Sequence, residues 1–204
     1  MRFILTDKAR TRVRIMEAAE AVFSEKGYHD AAIDEIVRRT DMSKGGIYFH
    51  FPSKEKLFFA VVDHLGRRLI ESIKSEISEV EDPIDRLKLA LSTVLQTLGK
   101  RRRLAKLLLV QGYSMGNSFE RKRVEIYSNF AMLIKDNLDI AVEQRSIPAL
   151  DTEIASCLWV GALNEVVIRW IYTGQPSPIS QALPVLTKML LQGVGAQEES
   201  RNGG

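Results

Sequence analysis

The segment from Ser43 to Phe58 holds two helix-capping serines, a double glycine, an aromatic run and several side-chain N–H and O–H donors within sixteen residues. Lys44, Tyr48, His50 and Lys54 can each donate to an anionic oxygen, and Ser43 and Ser53 can each accept from the first amides of a following helix. Gly45 and Gly46 each cost on the order of 1 kcal/mol relative to alanine inside a helix. A chain keeps that cost where its backbone must come close to something else. These are means of gripping a polyanion, and bond-breaking chemistry has no comparable signature. His29, His50 and His64 are the only histidines, none in a metal-type His-x-x-x-His pair, and Cys157 sits in an apolar stripe. No phosphate loop or nucleophile elbow occurs. The expectation is a binding protein that is not an enzyme and has no metal site.

The elements that must position these donors are helical. Ile15, Ala19, Val22 and Phe23 recur at helical spacing, which predicts a helix over residues 8–26 stopped by Gly27. A second helix is expected over 33–40, with Asp34 and Glu35 complementing its dipole and Ile36 and Val37 turned inward. Asp41 and Met42 make the turn, and Ser43 opens a short third helix. Two helices joined by a short turn match the helix-turn-helix, whose second helix enters the major groove. Ser53 caps a fourth helix, whose first-turn amides and Lys54 are placed to hold a backbone phosphate. Periodicity leaves open whether Tyr48, Phe49 or Phe51 faces inward. It also leaves Arg10, Arg12 and Arg14 as either solvated charges or long-range phosphate partners.

From Arg12 to about Val62 the chain resembles the N-terminal domain of TetR-type transcriptional regulators. The likeness lies in Gly27-Tyr28, Ile33 and Ile36, Ser43-Lys44-Gly45, Ile47-Tyr48-Phe49-His50-Phe51 and Ser53-Lys54-Glu55. It implies burial of Ile47 and Phe51 and DNA contacts, mostly on phosphates, from Lys44, Gly45, Tyr48, His50 and Lys54; Ser43 and Gly46 complete the expected DNA-binding set. Three residues depart from the family pattern. Ala32 stands where a Thr or Ser usually caps the second helix. Asp41 replaces a turn glycine, at a position where Asp tolerates the left-handed backbone. Gly46 replaces a Thr or Ala and removes a side chain that could read a base.

Beyond residue 66 the pattern stays helical, so the fold class is all-α with about nine helices. Leu87, Leu91, Val94, Leu95 and Leu98 form one apolar face ending at Gly99. Tyr127, Phe130, Ile134 and Leu138 mark the inner stripe of a long helix. The helix over 151–172 has almost no polar face, which predicts burial on both sides. The final helix carries a leucine face of Leu183, Leu186 and Leu190, with Val185 and Met189 forming a second one. The resemblance implies that these two helices pair with their copies across a two-fold, through Leu158, Ala162, Leu183, Leu186 and Leu190. The expected division is a helix-turn-helix head over 8–52, an effector-binding and dimerisation body over 53–194 and a disordered tail over 195–204.

The family resemblance also implies a small-molecule effector, although no resident cofactor. Leu91, Leu95, Tyr113, Phe119, Tyr127, Phe130, Trp159 and Trp170 are candidates to line an apolar cavity, although for any one of them ordinary core is the first reading. Few charges fall on inward stripes, which favours an apolar or amphipathic ligand. The spacing of Gly161, Asn164-Glu165 and Trp170 is similar to that of the family's fatty-acid-metabolism regulators, which answer to long-chain acyl-CoA. The run Lys100 to Arg103 with Lys106 is either a solvated corner or a seat for the phosphates of such a thioester.

Composition sets outer bounds on these readings. A net charge of +3 over 204 residues is too small to argue nucleic-acid binding by itself, so any electrostatic footprint must be local. One cysteine excludes an internal disulfide framework. The start lacks a signal-peptide core, and the most apolar run, 155–170, is interrupted by Asn164, Glu165 and Arg169. The expectation is a cytoplasmic protein with double-stranded DNA, a second copy of itself and a small-molecule effector as partners, and no membrane. A non-sensing DNA-binding protein of the same architecture, acting in chromosome organisation or through a protein partner, is the alternative.

Overall fold

The computed structural model describes residues 7–110 and 116–196. These form nine α-helices and, among the described residues, no strand. In chain order they are α1 Asp7–Asp30, α2 Ile33–Thr40, α3 Lys44–His50, α4 Lys54–Ile77, α5 Pro83–Lys100, α6 Arg102–Leu109, α7 Asn117–Glu143, α8 Thr152–Thr173 and α9 Leu183–Gly193, with a 3-10 turn at Ile179–Ala182. The helices group into two compact units. The first comprises Met1–Arg68 and Arg103–Lys122, the second Leu69–Arg102 and Arg123–Gly204. The unit that holds the helix-turn-helix thus takes in part of α4, beyond residue 52.

In the first unit α1 buries Ile15, Met16, Ala19, Val22 and Phe23. Gly27 leaves helical geometry at φ 85°, so the backbone kinks there, although helical hydrogen bonding resumes to Asp30. The kink brings Tyr28 against both Phe23 and Phe58, with ring centroids 6.2 and 5.0 Å away. Phe23 and Phe58 themselves meet edge to face at 5.3 Å. Two arginines on α1 close the ends of the next two helices. Arg14 donates to the carbonyl of Thr40 at 3.4 Å, and Arg12 to that of His50 at 2.9 Å. These carbonyls lie in the last turns of α2 and α3, where cations complement the dipole. Both side chains therefore help to hold the head together, while each stays exposed and keeps further N–H donors.

The second unit has its core where Leu87 and Leu91 of α5, Ile134, Leu138 and Ala141 of α7, and Ala155 and Trp159 of α8 meet. Asp82 caps α5 by accepting from the Asp85 amide at 2.8 Å, and Pro83 occupies the first turn, where its missing N–H is harmless. Asp151 caps α8 in the same way. Gly99 does not end α5 as expected. The helix runs to Lys100, and a Cβ on Gly99 would lie 2.7 Å from Ile179 Cγ2, so the glycine allows a close approach of the 3-10 turn.

One further expectation needs correction. Residue 195 does not begin a disordered tail. Gly195 takes φ 77°, the Ala196 amide donates to Leu191 O at 3.0 Å, and Ala196 is buried in the core beside Val194. Residues 197–204 lie outside the described residues. Helix α8 is by length and composition apolar enough to cross a membrane, with mean hydropathy 1.4 over its best 18-residue window. Within one copy it buries a single face, so the expected burial on both sides requires a second copy. Ala155, Ser156, Trp159, Val167, Trp170 and Ile171 face the core, while Ile154 and Leu158 stand in the open.

Candidate nucleic-acid interface

The segment singled out from sequence forms a single-sided platform. Ser43 is extended at φ −72°, ψ 155°, and its Oγ accepts from the Gly46 amide at 3.0 Å, opening α3. Before it, Asp41 adopts the left-handed conformation at φ 53°, ψ 27°, and Ala32 precedes α2 without a side-chain cap, both as expected of these departures. Ile47 and Phe51 are buried and clamp α3 to the head. The Arg12 guanidinium lies 4.2 Å from the Phe51 ring centroid, adding a cation–π contact at the same joint. The burial that periodicity left undecided falls on Ile47 and Phe51, so Tyr48 and Phe49 both face outward.

That outward face carries a mixed set of donors. Tyr48 is 39% exposed and Phe49 73%. Lys44 Nζ lies 3.0 Å from Asp34 Oδ1, and both side chains are exposed. The hydrogen bond that Lys44 donates to Asp34, and then the charge of that carboxylate, raise the Lys44 pKa above that of an ordinary lysine. Lys54 is also held within the head. Its ammonium donates to the His29 carbonyl at 2.9 Å and sits 4.8 Å from the Tyr28 ring centroid. Partial burial lowers its pKa, although the charge of Asp30 opposes this. One Lys54 donor thus braces the chain after the Gly27 kink, while an ammonium has three. The next helix start repeats the capping device, with Ser53 Oγ accepting from the Lys56 amide at 3.1 Å. His50 Nδ1 is buried with no hydrogen-bond partner among the described residues.

The glycines differ in their surroundings. A Cβ on Gly46 would meet Met42 Cε at 3.2 Å and Ser43 Oγ at 3.3 Å. A Cβ on Gly45 would meet only Ser43 Oγ, at an unstrained 3.9 Å. The head itself therefore does not require glycine at 45. Gly45→Ala is expected to raise unfolding stability by about 0.4–1 kcal/mol, read as a higher Tm, while weakening DNA binding roughly tenfold by fluorescence anisotropy. Unchanged affinity would show that nothing approaches this backbone.

Comparison with known proteins fits this geometry. Residues 15–61 match the family described as bacterial regulatory proteins, tetR family, and residues 61–193 match a YsiA-like protein C-terminal region. Over 188 residues the chain is 31% identical to YdgC of Bacillus subtilis (strain 168), an uncharacterized HTH-type transcriptional regulator, covering 88% of this chain and 91% of that protein. The protein belongs to the TetR family. It is a DNA-binding transcriptional regulator. The B. subtilis fatty acid metabolism regulator protein is 22% identical over 183 residues, covering 89% of this TetR-family chain and 94% of its own. The same fold is seen in FadR from Bacillus halodurans and in FadR from B. subtilis in complex with stearoyl-CoA. Both have TM-score 0.80, at 24% and 22% identity, over 89% of this chain and 98% of theirs.

The residues expected to line an effector pocket have different surroundings. Leu91 and Trp159 pack together in the core of the second unit, and Leu95 is fully buried. Phe119 belongs to the first unit, and Tyr113 lies outside the described residues. Phe130 is half-buried, and the Tyr127 hydroxyl donates to Asn164 Oδ1. A cleft of about 270 Å³ does open in the second unit, but its walls are Lys74, Ile77, Ser78, Arg86, Leu133, Asp136, Asn137 and Ile140. Helical periodicity marks inward faces and cannot say which of them leave a gap. Trp170 has a different role. Arg102 donates to the carbonyls of Trp170 and Ile171 at 3.2 and 2.6 Å, with its guanidinium 5.5 Å from the Trp170 ring centroid. One cation of the basic corner therefore closes the C-terminal end of α8.

The expected dimer residues also divide. Leu158 is 66% exposed and Ala162 half-buried, but Leu186 is buried and Leu183 and Leu190 pack on the core. The leucine face of α9 is thus its inner one. Its outward face is Val185 and Met189, 60% and 67% exposed. Two apolar faces on one helix look alike in sequence, and only packing decides which is turned in.

Proposed function

We propose that this regulator is a repressor that binds a pseudo-palindromic operator as a homodimer and is released by a long-chain acyl-CoA. The observation that carries the DNA half is the outward face of α3, where Lys44, Tyr48 and Phe49 stand around the bare Gly45 and the opposite face is locked by Ile47 and Phe51. Lys44, Tyr48, His50 Nε2, Lys54 and the amides after Ser43 and Ser53 serve as phosphate donors. Two copies pair through Ile154, Leu158, Val185 and Met189, an exposed apolar set on α8 and α9 that suits burial against itself across a two-fold. Support for the effector comes from the likeness of the whole chain to a fatty acid metabolism regulator. Ligand favours a conformation whose two heads no longer match the spacing of the half-sites. No catalytic step is assigned.

The packing of Leu91, Leu95 and Trp159 as core favours a second reading, in which the body senses nothing and acts through a protein partner. Selection of genomic fragments on the purified protein, with and without stearoyl-CoA and shorter acyl-CoAs, separates the two. The expected result is enrichment of a pseudo-palindrome, with affinity at least tenfold lower when the thioester is present. Enrichment that no acyl-CoA changes would remove the effector assignment and leave the second reading.

A further inference from the structure

We infer that Phe49 reads sequence directly, and that the group it reads is the C5-methyl of thymine in the major groove. The inference rests on α3 being the DNA-facing helix, as proposed above. Phe49 is 73% exposed, more than any other large hydrophobic side chain among the described residues. It is presented rather than loose. The Lys8 ammonium lies 5.4 Å from its ring centroid on one side, and the His50 ring meets it edge to face at 5.4 Å on another. It also stands one helical turn beyond Gly45, on the same face, so no side chain shields the approach between them.

The chemistry of the ring narrows its partner. A phenyl group has no hydrogen-bonding atom, so it cannot replace a phosphate contact or pair with the polar edge of a base. The apolar feature that a base pair displays in the major groove is the thymine methyl. The other outward residues leave this task to Phe49. Lys44 and Tyr48 are assigned to phosphates, and Gly45 and Gly46 carry no side chain with which to read a base. Direct readout by α3 thus reduces to one methyl-sensitive position in each half-site, with shape and backbone supplying the rest.

The test uses operator duplexes from the selection experiment in which each thymine in turn is replaced by deoxyuridine, which deletes the methyl and nothing else. Affinities are measured for the full-length protein and for Phe49→Ala, whose exposed site leaves folding unchanged by circular dichroism and thermal melting. One thymine per half-site is expected to lose about fourfold in wild-type affinity on replacement, the effect of one buried methyl-sized group. Phe49→Ala should show no difference between thymine and deoxyuridine there, and Phe49→Leu should keep part of it. Equal loss by Phe49→Ala on both duplexes would place the ring on deoxyribose and overturn the inference. So would a wild-type protein indifferent to deoxyuridine at every position. A wild type that enriches no fragment at all would instead overturn the assignment of α3 itself, and this inference with it.

Discussion

Replacing both Leu158 and Met189 with glutamate is expected to give a folded monomer whose operator affinity is lower by about 10³. Both side chains are exposed in the single chain, so the change leaves the core of each copy intact. Exposed substitutions of this kind typically shift stability by less than about 0.5 kcal/mol. Between two copies the same carboxylates would be buried against apolar surface, at an effective cost of several kcal/mol per ion. The DNA penalty follows from linkage. When one head of a dimer is bound, the other faces its half-site at an effective concentration on the order of millimolar, which a monomer forfeits. Sedimentation measures the oligomeric state and anisotropy the affinity. Leu186→Glu is the contrasting variant, because that leucine is buried within the copy and its replacement should unfold the second unit. A double variant that still dimerises, or a monomer with undiminished affinity, would sink the proposed interface.

How far the sequence carried this reading depends on how local the determinant is. Capping, turn and glycine chemistry act within a few residues, so Ser43, Asp41 and the uncapped Ala32 are found as they were read. The bounds of α2 were legible for the same reason. Choices that depend on distant partners were not. Whether Lys54 faces solvent depends on the carbonyl of His29, and whether Gly99 ends a helix depends on Ile179. The inner and outer faces of α9 are both apolar, so periodicity ranked the leucines above Val185 and Met189 without knowing what lay behind them. Phe49 was passed over because exposure of a phenylalanine runs against its usual burial. No pattern in one chain states that exception, although the alternation of Ile47 and Phe51 around it leaves it little room inside.

Removing two of the three proposed phosphate donors on α3, in Lys44→Ala/Tyr48→Ala, should lower operator affinity by roughly 10² at moderate salt, with the fold intact. Lys44→Ala alone should also flatten the salt dependence. Each lysine–phosphate contact contributes about 0.9 to the slope of log affinity against log salt, so a dimer that loses two such contacts loses about 1.8. Asp34 gives the argument a second handle. Its carboxylate holds the Lys44 ammonium at 3.0 Å in the free head, and on DNA the lysine must exchange that partner for a phosphate. An exposed ion pair is weak enough to yield, yet it still competes. Asp34→Asn is therefore expected to raise affinity several-fold at low salt, with the gain shrinking as screening grows. The double variant Asp34→Asn/Lys44→Ala separates two causes. If Asp34 acts by occupying Lys44, the gain disappears without the lysine. If it acts by repelling phosphate directly, the gain survives. A salt slope that Lys44→Ala leaves unchanged would mean that Lys44 touches no phosphate, and the grip on DNA would then have to be reassigned to Lys54 and the capped helix starts.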